Sequence, residues 1–147
     1  MTVQFLEQRS LNGLKVRTNN QDEMTEGKGK IGPLWQDFYQ TIASELNENA
    51  QVFGVYTNYD TDHTGPFDVY AATSKPISKL VLDKVDIQAG NYLKFQKTGE
   101  MPQAVIDLWG EVWAYFSSRD CQHKRAYTTD FEFYKGTNEV EIAIAIK

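Results

Sequence analysis

The chain carries one cysteine, Cys121, in 147 residues, so no disulfide can form within it. That usage suits a reducing compartment, and a cytoplasmic location is expected. No run of about 18 apolar residues occurs, which leaves no candidate for a membrane-spanning helix. The start, Met1-Thr2-Val3-Gln4-Phe5, lacks the basic-then-apolar order of a secretion leader, and none is expected. Basic residues are the minority, 15 against 20 acidic ones, for a formal charge of −5. They form no cluster, so direct contact with nucleic acid is not expected, because phosphates demand a basic face. An acidic protein attracts cations instead.

Aromatic residues are what the chain has in excess: 8 Tyr, 8 Phe and 3 Trp, more than the packing of a small domain requires. Hydrophobic residues make up 41% and charged ones 24%, the balance of an ordinary folded domain rather than a disordered chain. The length suits a single domain over residues 1–147. Within it the sequence repeats. Leu14–Thr18 resembles Leu93–Lys97, Leu34–Tyr39 resembles Leu108–Trp113, and Phe53–Tyr56 resembles Phe131–Tyr134, at offsets of 79, 74 and 78. Three matches in one order point to a duplicated module, residues 1–74 and 79–147.

The module reads β-β-α-β-β. In the first copy, strands over Val3–Gln8 and Leu14–Thr18 flank Asn12-Gly13, a hairpin sequence. A helix opens at Pro33 with Leu34, Phe38, Ile42 and Leu46 on one stripe, and strands Val52–Asn58 and Phe67–Thr73 follow. In the second copy, strands Leu82–Ile87 and Tyr92–Lys97 flank Ala89-Gly90. A helix then opens at Pro102 with Val105, Leu108, Trp109, Val112 and Phe116, and strands Arg125–Tyr134 and Glu139–Ile146 close the chain. The polar stretch Asn19–Lys30 reads as a loop, and Ser74–Lys79 as the link between the halves. The expected fold is α+β: a curved antiparallel sheet with two helices on one face and a ligand pocket on the other.

Strand alternation divides the residues between those faces. Val55, Val69, Leu93, Phe95, Phe131, Phe133, Ile142, Ile144 and Ile146 are expected against the helices. Gly54, Tyr56, Tyr70, Ala72, Tyr92, Glu132, Tyr134, Glu141, Ala143 and Ala145 are expected on the open face. Small residues leave a hollow, tyrosines wall it, and a carboxylate among rings recognises a cation, each ring adding about 0.5–2 kcal/mol when desolvated. Trp109 and Trp113 extend their helix stripe beyond what packing needs.

Together these residues resemble the AraC-type effector-binding family, also called GyrI-like. The likeness rests on Gly32-Pro33-Leu34-Trp35, Val52–Tyr56, Ala89–Phe95, Leu108–Trp113 and Thr129–Tyr134, in order over essentially the whole chain. It implies a small-molecule-binding domain for lipophilic, often cationic compounds, as in multidrug recognition and transcription regulation. It also implies a pocket glutamate at Glu132, with aromatics at Trp109 and Tyr92. The chain has no helix-turn-helix segment, so it resembles a stand-alone member acting as a sensor or a sequestering protein, with a protein partner as one further option. The ligand-binding residues expected on both grounds are Glu132, Tyr56, Tyr70, Tyr92, Trp109, Tyr134 and Trp113. The alternative is a hydrolase of strained electrophilic toxins, with Glu132 as general base and a neighbouring tyrosine, Tyr56 or Tyr134, as proton donor. No cofactor and no metal are expected. Gly27–Gly32 fits a dinucleotide-binding spacing but lacks the strand before it. Asp60, Asp62 and His63 share a loop without a fourth ligand nearby.

Overall fold

The structure, a computed structural model, describes residues 1–42, 45–46, 50–74 and 82–147. Eight strands lie in one sheet: β1 (Thr2–Leu6), β2 (Arg9–Thr18), β3 (Val52–Thr57), β4 (Phe67–Thr73), β5 (Asp83–Ile87), β6 (Gly90–Thr98), β7 (Arg125–Lys135) and β8 (Glu139–Ile146). All neighbours pair antiparallel, in the order β1-β6-β8-β7-β3-β4-β2-β5. Helices α1 (Asn20–Met24), α2 (Ile31–Thr41) and α3 (Gln103–Ser117) complete the described elements, giving the α+β class expected. None of these helices is long and apolar enough to cross a membrane.

Two of the four expected hairpins form, β3–β4 and β7–β8. The other two do not: β1 pairs with β6, and β5 pairs with β2. Each half of the sequence thus lends its first strand to the second strand of the other half. Asn12-Gly13, expected as a turn, lies inside β2, where Gly13 pairs with both Ala72 and Asp83. A Cβ there would collide with the Ala71 carbonyl oxygen, so this glycine serves a close backbone approach.

The polar stretch before α2 is ordered as well. Asn19 caps α1 by accepting from the Asp22 amide at 2.8 Å. Glu23 then accepts from the amides of Lys30 and Ile31 at 2.8 and 3.2 Å, supplying α2 with the cap that Lys30 lacks. Helix α2 begins two residues before Pro33, which sits in its first turn. The expected link over residues 74–79 falls outside the described residues apart from Ser74.

Both long helices cover the same sheet face. α2 packs Leu34 and Phe38 on Val69 and Ala71, and α3 packs Val105, Leu108 and Val112 on Leu93, Phe95, Ile142 and Ile144. The pairs Val69↔Tyr56, Tyr56↔Asp130 and Asp130↔Ile144 run across one face, because directly opposed residues point the same way. The opposite face is a second core, not an open hollow: Leu11, Phe53, Val55, Tyr70, Val85, Ile87, Tyr92 and Phe131 fill it. The sheet curls enough that Gln88, just past β5, donates its amide to Thr129 of β7 at 3.1 Å, although the two strands are four places apart in the sheet.

That second core overturns the expected face of β3 and β7. Val55, Phe131 and Phe133 point away from the helices, and Gly54, Tyr56, Glu132 and Tyr134 point toward them. Val69, Leu93, Phe95, Ile142, Ile144 and Ile146 lie on the helix face as expected, and Tyr70, Ala72, Tyr92, Ala143 and Ala145 lie on the other. The pocket is correspondingly on the helix side of the sheet. Assigning Phe131 and Phe133 to the helices assumed that only one face buries apolar side chains; here both do.

Candidate functional site

The central strands β3 and β7 set Gly54 directly opposite Glu132. These positions correspond in the sequence repeat, and the strand order reads the same from its other end when β1–β4 and β5–β8 are exchanged, which sets a pseudo-dyad between them. A Cβ on residue 54 would overlap Glu132 Oε1 and stand 3.2 Å from the Trp35 ring. Glycine in one copy therefore makes the room that glutamate occupies in the other. The same symmetry brings Trp35 of α2 and Trp109 of α3 over the sheet from either side, and it places Tyr56 and Tyr134 to either side of the Gly54–Glu132 row.

Glu132 is 3% exposed. Its Oε2 accepts from Tyr56 Oη at 2.9 Å and from Trp109 Nε1 at 2.6 Å, and its Oε1 accepts from Tyr134 Oη at 2.8 Å. Two oxygens offer about four lone-pair directions, so these three donors leave one on Oε1. Burial pushes the Glu132 pKa above the usual carboxylate range, and the donations from Trp109, Tyr134 and Tyr56 only partly offset this. Burial followed by the nearby carboxylate drives the Tyr56 and Tyr134 hydroxyls well above their ordinary values. A cavity of about 440 Å3 opens beside the carboxylate, bounded by Trp35, Tyr39, Tyr56, Trp109 and Tyr134 with Met101, Val105 and Ile106. Its rings meet edge to face, Tyr56 with Trp109 at 5.2 Å and Trp35 with Tyr134 at 5.5 Å.

Of the seven residues singled out in the sequence, four converge here: Glu132, Tyr56, Trp109 and Tyr134. Trp113, one helical turn beyond Trp109 and 38% exposed, borders the continuation of the cleft rather than the carboxylate. Tyr70 and Tyr92 do not belong to this cavity. Both are buried in the core of the other sheet face, where Tyr92 Oη meets the Gln88 carbonyl at 2.6 Å and Thr129 Oγ1 at 2.5 Å. Trp35 and Tyr39, which are not among those seven, are walls of the cavity, and Gly54 is its floor. The repeat was the mark that could have found them, since it pairs Trp35 with Trp109 and Gly54 with Glu132. Tyr92→Phe should thus leave ligand affinity within about twofold while costing about 1 kcal/mol of stability. Denaturant melts beside a binding titration would check this.

The Asp60, Asp62 and His63 loop spends its groups elsewhere. Asp60 pairs with Arg17, Asp62 accepts from the Thr64 amide and hydroxyl, and His63 Nδ1 lies 2.9 Å from the Tyr127 hydroxyl.

A structure of similar fold, an integron cassette protein from the mobile metagenome of Vibrio cholerae, is 47% identical, covering 99% of this chain and 95% of that one, with a TM-score of 0.94. SAV2435 bound to tetraphenylphosphonium is 22% identical over 99% of this chain and 93% of its own, with a TM-score of 0.75. EcmrR, solved in complex with DNA, is 10% identical; this chain is covered to 99% and spans 56% of EcmrR, with a TM-score of 0.57. No functionally curated sequence matches the chain. The family model Cass2, integron-associated effector binding protein, matches residues 3–146. With that match over nearly its full length, the chain belongs to the integron-associated effector-binding proteins.

Proposed function

We propose that the protein binds lipophilic, cationic aromatic compounds between α2 and α3, with Glu132 as the counter-charge, as a stand-alone sensor or sequestering protein. The observation that carries this reading is a buried carboxylate with one lone-pair direction left, set in a cavity walled by five aromatic rings. Such a site desolvates a ligand, and ring faces with a carboxylate favour a positive charge over a neutral body of the same shape. The relative that holds tetraphenylphosphonium supports the choice of a bulky cation.

The hydrolytic alternative asks Tyr56 or Tyr134 to give a proton to a substrate. Both hydroxyls instead donate to Glu132, and burial holds both protons tightly. Binding is therefore the reading we keep.

Tetraphenylphosphonium should quench the fluorescence of the cavity tryptophans, and neutral triphenylphosphine oxide should bind at least about tenfold more weakly. Equal affinity for both would remove the role of the charge. The interaction should also depend on pH with a defined sign. Free Glu132 titrates above the usual carboxylate range, and only its ionised form pairs with a cation. Affinity should rise with pH up to that raised value and level off above it, falling by about tenfold per unit below it. Titrations between about pH 4 and 9 at constant ionic strength would show the curve. A flat profile in the parent, or an unchanged slope in Glu132→Gln, would assign the effect to another group.

A further inference from the structure

The cleft does not end at Trp109. A neck of about 160 Å3 shares Tyr56 and Trp109 with the Glu132 lobe and shares Trp113 and Arg125 with a distal lobe of about 650 Å3. The distal lobe is lined by basic side chains, with Asp130 paired to Arg125 behind its wall and Asp62 near Arg125 and Tyr127. Its described lining holds Arg125, Lys124, Lys147, His63 and His123 and no aspartate or glutamate. This occurs in a chain whose acidic residues outnumber its basic ones, 20 to 15.

Arg125 is the built element of that lobe. Its side chain is 8% exposed. Its hydrogen bonds leave from Nη2, to Asp130 Oδ2 at 2.7 Å and to the Tyr59 hydroxyl at 3.5 Å. A guanidinium has five N–H donors, and Nε is buried with no partner among the described residues. Asp130 turns its lone pairs into the wall: Oδ2 also accepts from Tyr59 at 2.5 Å, and Oδ1 accepts from the Ala145 amide at 2.9 Å. The guanidinium lies 4.7 Å from the Tyr127 ring centre and 6.0 Å from that of Phe116. Tyr127 holds φ at 56°, in the left-handed region, on the irregular stretch of β7 between Arg125 and Asp130. A tyrosine rarely adopts that conformation, and such strain persists where surrounding contacts enforce it.

We propose that the distal lobe is a second subsite that takes an anionic oxygen, a carboxylate, on the same molecule whose cationic end meets Glu132. The inference rests on the reading of Glu132 given above and narrows it: the preferred ligand is a zwitterionic amphiphile. The spacing follows from α3. Trp109 stands at the level of Glu132 and Phe116 at the level of Arg125. Seven residues of helix separate them, roughly 10 Å at 1.5 Å per residue. A chain of about eight carbons spans that distance.

The probes are 8-(trimethylammonio)octanoate and its methyl ester, which share cation and length and differ in the anion. By calorimetry in about 20 mM salt the carboxylate is expected to bind about tenfold more tightly than the ester, falling to about twofold in about 500 mM salt. Arg125→Gln combined with Asp130→Asn leaves no uncompensated buried charge. It is expected to abolish the advantage while the ester stays within about threefold of its parent affinity. Should that variant not fold, Lys124→Gln with Lys147→Gln, at two exposed rim positions, is expected to cut the advantage to about threefold. Ester binding as tight as the carboxylate by the parent protein overturns the second subsite, and the Glu132 reading survives if Glu132→Gln still weakens the ester. Binding of neither probe overturns the second subsite, and tetraphenylphosphonium titrated into the same protein then tests the Glu132 reading separately.

Discussion

Glu132→Gln is expected to weaken tetraphenylphosphonium binding by about 30-fold to several thousand-fold, the range that about 2–5 kcal/mol covers for the loss of one partner in a desolvated charge pair. The same substitution is expected to raise the melting temperature at neutral pH. Burial raises the folded-state pKa of Glu132 above its unfolded value. Its contribution to stability is therefore fully present below the unfolded value of about 4.5 and is lost as pH rises through the folded one. Each unit of that displacement is worth about 1.4 kcal/mol at neutral pH, or about 3–6 °C for a domain of this size. A glutamine has no charge to desolvate. Its amide oxygen can still accept from Trp109, and the two tyrosine hydroxyls can rotate to meet its NH2 group. Calorimetric melts of parent and variant at about pH 4 and pH 8 should converge at the lower value and separate at the higher. A variant that binds as tightly as the parent would remove the counter-charge from the proposed function. A variant that melts lower at pH 8 would mean that the three donors stabilise the carboxylate more than burial penalises it.

Gly54→Ala is expected to damage the same site from the opposite strand. The added methyl would overlap Glu132 Oε1 and press on the Trp35 ring. The carboxylate must then move, and it can do so only by lengthening its bonds to Tyr56, Trp109 and Tyr134. Overpacking of this kind costs about 1–3 kcal/mol of stability. Because the proposed function sets the carboxylate against the cation, cation affinity should fall by at least about tenfold as well. The double variant Gly54→Ala with Glu132→Ala supplies the control, since removing the carboxylate removes the overlap. Its stability should recover most of what the single substitution loses, a coupling that unfolding titrations on the four proteins would measure. Strict additivity would mean that the two residues do not compete for the same space.

Much of this was legible in the residues themselves. Period-two and period-3.6 patterns placed the strands and the two long helices. The three internal matches paired residues of the two halves, and Glu132 stood out as a carboxylate among rings. These are local or repeated features, and the physics that sets them acts within a few residues. The capping role of Glu23 was hidden, because nothing in a polar stretch says that its carboxylate will meet the amides of Lys30 and Ile31.

What the sequence determined by itself is the list of strands, the helix stripes and the pairing of equivalent residues between the two halves. Only the tertiary structure decided which strands pair and which way β3 and β7 face. Asn12-Gly13 is as good a turn as any in isolation. It becomes mid-strand because β2 gains partners on both sides, β4 and β5, once the halves exchange their first strands. Strand alternation says only that Phe131 and Glu132 point to opposite faces. Which face is which depends on what covers each, and the curled sheet buries apolar residues on both. Phe131 and Phe133 are thus free to leave the helices to Glu132. The pseudo-dyad between β3 and β7 then gathers Trp35, Trp109, Tyr56 and Tyr134 around that carboxylate, in a cavity that neither half forms alone.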